Sequence, residues 1–91
     1  MNNVSVIIPA HNEEKSIEKV IESIKNSSHN LEIIVIDNCS DDNTFKVAQK
    51  CQAKVYSCTE KGKGYAMEMG LKYATNEIVV FIDADIITDN N

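Results

Sequence analysis

Ile78-Val79-Val80-Phe81-Ile82-Asp83-Ala84-Asp85 is the stretch on which the reading of the fold turns. The apolar, largely β-branched run from Ile78 to Ile82, with Ala84 beyond, has the composition of a strand buried on both faces, as in parallel sheets covered by helices. It stops at two carboxylates. In open α/β sheets ligands bind outside the carboxyl ends of the strands, so an Asp-x-Asp in that place predicts a charged binding edge.

The same pattern recurs upstream. Val4 to Ile8 is an apolar run that Pro9 is expected to close, because proline cannot donate to a ladder. Glu32 to Ile36 stops at Asp37, and Ala53 to Ser57 forms a shorter, less apolar strand expected near a sheet edge. Between these runs the period changes to that of helices. Ile17, Val20, Ile21 and Ile24 make one buried stripe, Thr44, Val47, Ala48 and Cys51 a second, and Met67, Gly70, Leu71 and Ala74 a third. Asn12, followed by Glu13 and Glu14, reads as a cap for the first helix, and the turn formers from Asn38 to Asn43 place the start of the second near Asp41 to Thr44. The order βαβαβαβ predicts an α/β fold: a Rossmann-like, three-layer arrangement with a parallel sheet and right-handed crossovers. One domain is expected over residues 1–91, without repeat, linker or low-complexity tract.

Composition narrows the partners. Fourteen acids against nine lysines, with no arginine, give a net charge of −5, which argues against nucleic acid because phosphate-backbone binding needs a basic face. No apolar run approaches the ~18–20 residues of a membrane span, and the N-terminus lacks the layout of a signal peptide. A soluble, cytoplasmic domain is expected, with a place at the cytoplasmic membrane face left open. Cys39, Cys51 and Cys58 match neither a metal clip nor a paired framework and are expected as free thiols.

In a parallel sheet the carboxyl ends of all strands lie along one edge. The loops there carry Glu13 and Glu14, then Asp37, Asp41 and Asp42, then Lys61 and Lys63, then Asp83 and Asp85. Helix capping accounts for Glu14, Asp41 and Asp42. Asp83 and Asp85 can both approach one hard cation, and Asp85 is the expected metal ligand. Mg²⁺ favours few protein carboxylates plus waters and phosphate oxygens, so a cation here reconciles an acidic edge with a diphosphate, with Lys63 adding positive charge. Asp37, an acceptor only, suits an N–H donor on a base or a pair of ribose hydroxyls. Lys61-Gly62-Lys63-Gly64 permits close backbone approach. It is not a dinucleotide fingerprint, because Met67 stands where the third glycine belongs and the loop follows the third strand. His11 lies at the edge, His29 in a solvated turn, and Tyr56, Tyr65 and Tyr73 read as packing residues.

These motifs together, Val6-Ile7-Ile8-Pro9-Ala10-His11-Asn12-Glu13-Glu14, then Ile33 to Asp37 with Asn38-Cys39-Ser40-Asp41-Asp42-Asn43-Thr44, then Lys61-Gly62-Lys63-Gly64, then Phe81-Ile82-Asp83-Ala84-Asp85, resemble the family-2 glycosyltransferases of the GT-A fold. Within that family the likeness is to the dolichyl- or polyprenyl-phosphate sugar transferases and, second, the glucosyl-3-phosphoglycerate synthases. The resemblance implies part of a GT-A fold and transfer of a sugar from a nucleotide diphosphate sugar, with Mg²⁺ or Mn²⁺. It implies that Pro9, Ala10, Asn12 and Glu14 border the nucleoside, Asp37 reads the base, Lys63 lies near the donor, Asp83 meets the ribose or sugar, and Asp85 ligates the metal. The family usually has Gly where this chain has Cys39.

The resemblance implies no catalytic base within these residues, since in this family the base and the acceptor pocket follow the Asp-x-Asp. Donor binding with little or no sugar transfer is therefore the expectation for this stretch alone, with a polyprenyl phosphate as one acceptor and self-pairing at an uncovered sheet edge as a further expectation. Two alternatives stand beside it. One is a non-catalytic nucleotide-binding module. The other is a haloacid-dehalogenase-type phosphatase, whose Asp-x-Asp-x-x-Thr pattern Asp83 to Thr88 superficially fits.

Overall fold

The computed structural model describes residues 3–28 and 30–85. The readings of His29 and of Ile86 to Asn91 fall outside the described residues. The elements are β1 (Val4–Ala10), α1 (Ile17–Ser27), β2 (Leu31–Asn38), α2 (Thr44–Lys50), β3 (Lys54–Cys58), α3 (Lys63–Tyr73) and β4 (Ile78–Phe81). All four strands run parallel in the order β3-β2-β1-β4. β1 and β2 are central, and each shows one unexposed run, residues 5–10 and 32–38.

Successive strand residues face opposite sides, and the core divides accordingly. Val6, Ile8, Ala10, Ile33 and Val35 pack with Ile17, Val20, Ile21 and Ile24 of α1 and with Ala48 of α2. Ile7, Ile34 and Ile36 pack on the other face with Ala66 of α3, together with Cys58. The result is the expected three-layer α/β sandwich. The three cysteines are free thiols, two of them buried. Tyr56 and Tyr73 stack with ring centroids 4.0 Å apart, whereas Tyr65 is exposed. Among the described residues no helix is long and apolar enough to cross a membrane.

Four expectations need correction. First, Pro9 does not end β1, which pairs with β2 as far as Ala10↔Asp37. The Ile7 carbonyl accepts from Ile82 N at 3.0 Å, so residues 7 and 9 direct their backbone polar groups toward β4. Pairing with β4 stops at Ile7↔Phe81, and the nitrogen of Pro9 faces the side β4 has left, where no donor is required.

Second, β4 is an edge strand, not one buried on both faces: Ile78 is 59% exposed and Val80 41%. A run of β-branched residues reports strand propensity and says nothing of which neighbours cover it. Third, α3 buries Ala66 and Gly70, with Met69 packed beside them, while Leu71 is 51% exposed and Met67 only half-buried. Gly70 sets this face, because a Cβ there would lie 2.3 Å from Cγ2 of Ile7. Fourth, Asn12 does not cap α1; Ser16 holds the N-cap position.

Candidate functional site

The sheet order turns at β1: β2 and β3 lie to one side of it and β4 to the other. The crevice at the carboxyl edge between β1 and β4 is the place such sheets bind ligands. A cavity of about 230 Å³ opens there, lined by Pro9, Ala10, His11, Glu13, Asn38, Lys63, Asp83, Ala84 and Asp85.

Asp83 and Asp85 reach this cavity because of the residue between them. Ala84 is buried, its methyl group packed into the core shared with α1, so the flanking carboxylates turn outward and are exposed. Ser16, at the start of α1, fixes the turn by donating to the Ala84 carbonyl at 2.8 Å. Lys63, the first residue of α3, forms an ion pair with Asp83 across the cavity. Both partners are more than half exposed, so water screens the pair and a stronger ligand can exchange with either member.

Asp37 stands near the end of β2, between Ala10 of β1 and Ser57 of β3, and is almost fully buried. Its Oδ1 has no hydrogen-bond partner among the described residues. A buried carboxylate oxygen left without a donor is costly and uncommon, and here it sits at the carboxyl edge of the sheet, beside Asn38 but outside the cavity lining itself.

Asn12 and Glu14 lie outside the cavity lining and brace loops. Asn12, at φ 54°, accepts from Asp41 N through Oδ1 at 2.7 Å, and its own backbone N donates to Ser40 Oγ at 2.9 Å. Glu14 Oε1 accepts from Asn43 N at 2.9 Å, and Glu14 N donates to Asp42 Oδ2 at 3.2 Å. Asp42 in turn accepts from the backbone and hydroxyl of Thr44, the first residue of α2. Burial acts to raise the Asp42 carboxyl, but the hydrogen bonds from Thr44 and Glu14 outweigh it and hold the group below its ordinary value. Asp42 thus satisfies the start of α2, as the capping reading anticipates, whereas Glu14 serves α2 and not α1, locking the β1 loop to it, and the Asp41 side chain makes no such bond among the described residues.

Cys39 takes φ 59°, so the turn after β2 keeps a left-handed residue without glycine. Among the described residues no group of three or more His, Cys, Asp or Glu side chains could hold a metal ion. Mg²⁺ and Mn²⁺ do not need such a cage when phosphate oxygens and waters complete the shell, and the hard oxygens of Asp85 and Asp83 on one cavity wall fit such a cation.

Sequence reading placed His11 at this edge, where it lines the cavity, but passed over Asn38. Asn38, buried at the end of β2, joins three loops, and His11 donates through Nδ1–H to its carbonyl at 2.7 Å. The signal available was an asparagine beside the Asp37 strand end, the side chain able to donate and accept at once.

A parallel sheet with its charged groups gathered where the strand order turns defines a ligand-binding α/β domain. The glycosyl transferase family 2 model matches residues 5–91, and the chain belongs to that family. It is 40% identical to a 4,4'-diaponeurosporenoate glycosyltransferase of Staphylococcus haemolyticus, over 97% of this chain and 25% of that protein. With a dolichol-phosphate mannosyltransferase of Pyrococcus furiosus the identity is 37%, over 91% of this chain and 26% of that one. The structure superposes on glucosyl-3-phosphoglycerate synthase of Mycobacterium tuberculosis, solved with Mn²⁺, uridine diphosphate and glucosyl-3-phosphoglycerate, with a TM-score of 0.84 and 40% identity over 94% of this chain and 34% of that one. The same enzyme has been solved with Mg²⁺ and uridine diphosphate. The four-stranded unit is thus part of a GT-A fold, and the chain spans about a quarter to a third of the length of these relatives. Family membership leaves the phosphatase reading without support.

Proposed function

We propose that residues 1–91 form the donor-binding part of a glycosyltransferase, taking a nucleoside diphosphate sugar together with Mg²⁺ or Mn²⁺. The observation that carries this reading is the unpaired Oδ1 of Asp37, buried at the same edge as an exposed Asp-x-Asp. An N–H of a base or a ribose hydroxyl supplies the donor that Asp37 lacks, and Pro9 and Ala10 give the nucleoside an apolar wall. Lys63 faces the diphosphate. Asp85 holds the cation and Asp83 meets the ribose or sugar, while Asn12 and Glu14 border the nucleoside from behind by holding its loop. The cation, when bound, offsets diphosphate charge and favours its departure as a leaving group. The cavity is smaller than the roughly 300–1,000 Å³ of a full small-molecule pocket, which fits a donor floor better than a complete donor and acceptor site.

For the acceptor we favour a phosphate-bearing molecule, a polyprenyl phosphate among them; the dolichol-phosphate and phosphoglycerate enzymes among the relatives support this. The open flank of β4 supports pairing of two copies, which light scattering at rising concentration would detect. Free thiols support a reducing compartment such as the cytoplasm, with the membrane face as the working place for a lipid acceptor.

Calorimetry with uridine diphosphate glucose, with and without Mn²⁺, tests the central reading. Metal-dependent binding that Asp85→Asn removes is the expected result. Equal binding with and without the cation, or none at all, would sink it.

A further inference from the structure

Cys39 and Cys58 meet at the carboxyl edge of the sheet as free thiols. The register pairs Asn38 with Cys58, so Cys39 stands one residue past the partner of Cys58. Neighbouring strands lie about 4.8 Å apart and rise about 3.3 Å per residue, which puts the two Cα atoms roughly 6 Å from each other, inside the ~4.4–6.8 Å that a disulfide spans. Both sulfurs lie at the end of β3. Cys39 Sγ gives its hydrogen to the Cys58 carbonyl at 3.3 Å, and Cys58 Sγ turns to the Glu60 carbonyl at 3.5 Å.

The two thiols differ in access. Cys39 is half-buried in a turn at φ 59°, open to a small oxidant, whereas Cys58 is 4% exposed and packs with the core residues Ile36 and Ala66. Cys51 belongs to the core on the other face of the sheet. An oxidised Cys39 therefore has Cys58 as the thiol in place to resolve it.

A bridge here acts on the donor cavity through Asn38, which lines that cavity and directly precedes Cys39. Asn38 Nδ2 donates to the same Glu60 carbonyl at 2.8 Å, and its Oδ1 accepts from Gly62 N at 2.9 Å. Closing the bridge withdraws the Cys58 thiol from Glu60 and draws the Cys39 turn toward β3. Asn38 and the glycine loop leading to Lys63 then cannot both keep their places.

We propose that Cys39 and Cys58 form a reversible thiol switch that weakens donor binding when oxidised; this rests on the donor-site reading above. With a peroxide as oxidant, the Cys39 sulfur attacks the O–O bond, an S–O bond forms and one water leaves, giving a sulfenic acid. The Cys58 sulfur then attacks the Cys39 sulfur, the S–S bond forms, and the S–O bond breaks with loss of a second water. Two thiols give up two electrons and two protons, and the peroxide is reduced to two waters.

Hydrogen peroxide, removed before binding is measured, is the probe oxidant. Trypsin cleaves after lysine and leaves the three cysteines on separate peptides, 26–46, 51–54 and 55–61, so mass spectrometry identifies any pairing. A product linking 26–46 to 55–61 within one chain is expected. Calorimetry with uridine diphosphate plus Mn²⁺ should then show an affinity about tenfold lower, restored by a phosphine reductant. Cys39→Ser and Cys58→Ser should each bind equally well before and after peroxide, which also reads out any methionine oxidation, and Cys51→Ser should keep the switch. No link, a link through Cys51, or links only between chains would overturn the proposal, as would a linked chain of unchanged affinity; the donor-site reading survives all four. Failure of the reduced chain to bind uridine diphosphate would sink that reading and the switch together, while the peptide map still decides the pairing.

Discussion

β2 carries a buried carboxylate at each end, and the two are treated in opposite ways. Glu32, near its start, is 3% exposed and saturated: Ser5 Oγ donates at 2.6 Å, Lys54 Nζ at 2.6 Å, and the backbone and hydroxyl of Thr75 at 3.0 Å each. Ser5 also accepts from Asn76, so this end ties β1, β2, β3 and the segment entering β4 into one network. Asp37, near the other end, keeps an oxygen with no partner among the described residues. One strand, with a buried carboxylate near either end, thus separates a group spent on the fold from a group kept for something that arrives. The amino edge is closed by hydrogen bonds, and the carboxyl edge is left chemically incomplete.

Breaking the saturated end should give the largest effect. Glu32→Ala removes four hydrogen bonds to a buried carboxylate and leaves the buried Ser5 hydroxyl without its acceptor, while the exposed Lys54 and Thr75 turn to water; it is expected to cost about 3 kcal/mol. Urea unfolding followed by circular dichroism measures it. A cost below about 1 kcal/mol would mean that the network is dispensable.

The same contrast can be read by pH. Burial acts to raise Glu32, yet the hydrogen bonds from Lys54, Ser5 and Thr75 outweigh it and bring the group from 4.5 to about 2. A carboxyl depressed in the folded state stabilises fully above its unfolded value and loses that contribution as pH falls through the folded one. About 3 kcal/mol of stability should therefore be present above pH ~4.5 and drain away toward pH ~2. In Glu32→Gln that part of the acid profile should flatten; an unchanged profile would assign the acid sensitivity to other groups.

At the incomplete end the signs reverse. Asp37→Asn removes a buried charge that lacks a donor, so stability should hold or rise by up to about 1 kcal/mol. Affinity for uridine diphosphate should fall at least tenfold, about 1.4 kcal/mol, because an acceptor for the nucleoside has been lost. A variant both less stable and unchanged in binding would make Asp37 another Glu32, and the distinction between the two ends would collapse.

The two ends were also unequally legible. Elements governed by local period came through: the Ile17, Val20, Ile21, Ile24 stripe is buried as its spacing demands, and the order βαβαβαβ stands. What failed depended on neighbours distant in sequence. The flank of Pro9 that lacks a hydrogen is harmless because β4, some seventy residues on, has already stopped pairing. The inner face of α3 is set by the fit of Gly70 against Ile7 and not by the pattern of its larger side chains. At the site, Asp83, Asp85, Lys63, Pro9 and Ala10 were identifiable from strand ends and motif and line one cavity, whereas the grip of Asn38 on Glu60 and Gly62 spans 22 and 24 residues and leaves no periodic trace. Glu32 looked like an ordinary polar start to a strand. Its saturation required Lys54 and Thr75 to be brought to it.

The smallest expected effect tests how strictly the carboxyl end of β2 is shaped. Cys39, two residues beyond Asp37, holds φ 59° and gives its thiol hydrogen to the Cys58 carbonyl at 3.3 Å. A left-handed residue other than glycine costs roughly 1–2 kcal/mol, but glycine gives back about 0.5–1 kcal/mol through the greater freedom of its unfolded chain. Cys39→Gly should therefore stabilise by only about 0.5–1 kcal/mol, with the weak thiol bond a minor loss. Cys39→Val, branched at Cβ, should destabilise by about 1–2 kcal/mol at the same φ. The order Gly, Cys, Val in urea midpoints, with uridine diphosphate affinity unchanged in Cys39→Gly, would show that this turn is constrained by backbone conformation alone. If glycine instead weakened binding, the thiol would join Asp37 among the groups this edge holds ready for a ligand.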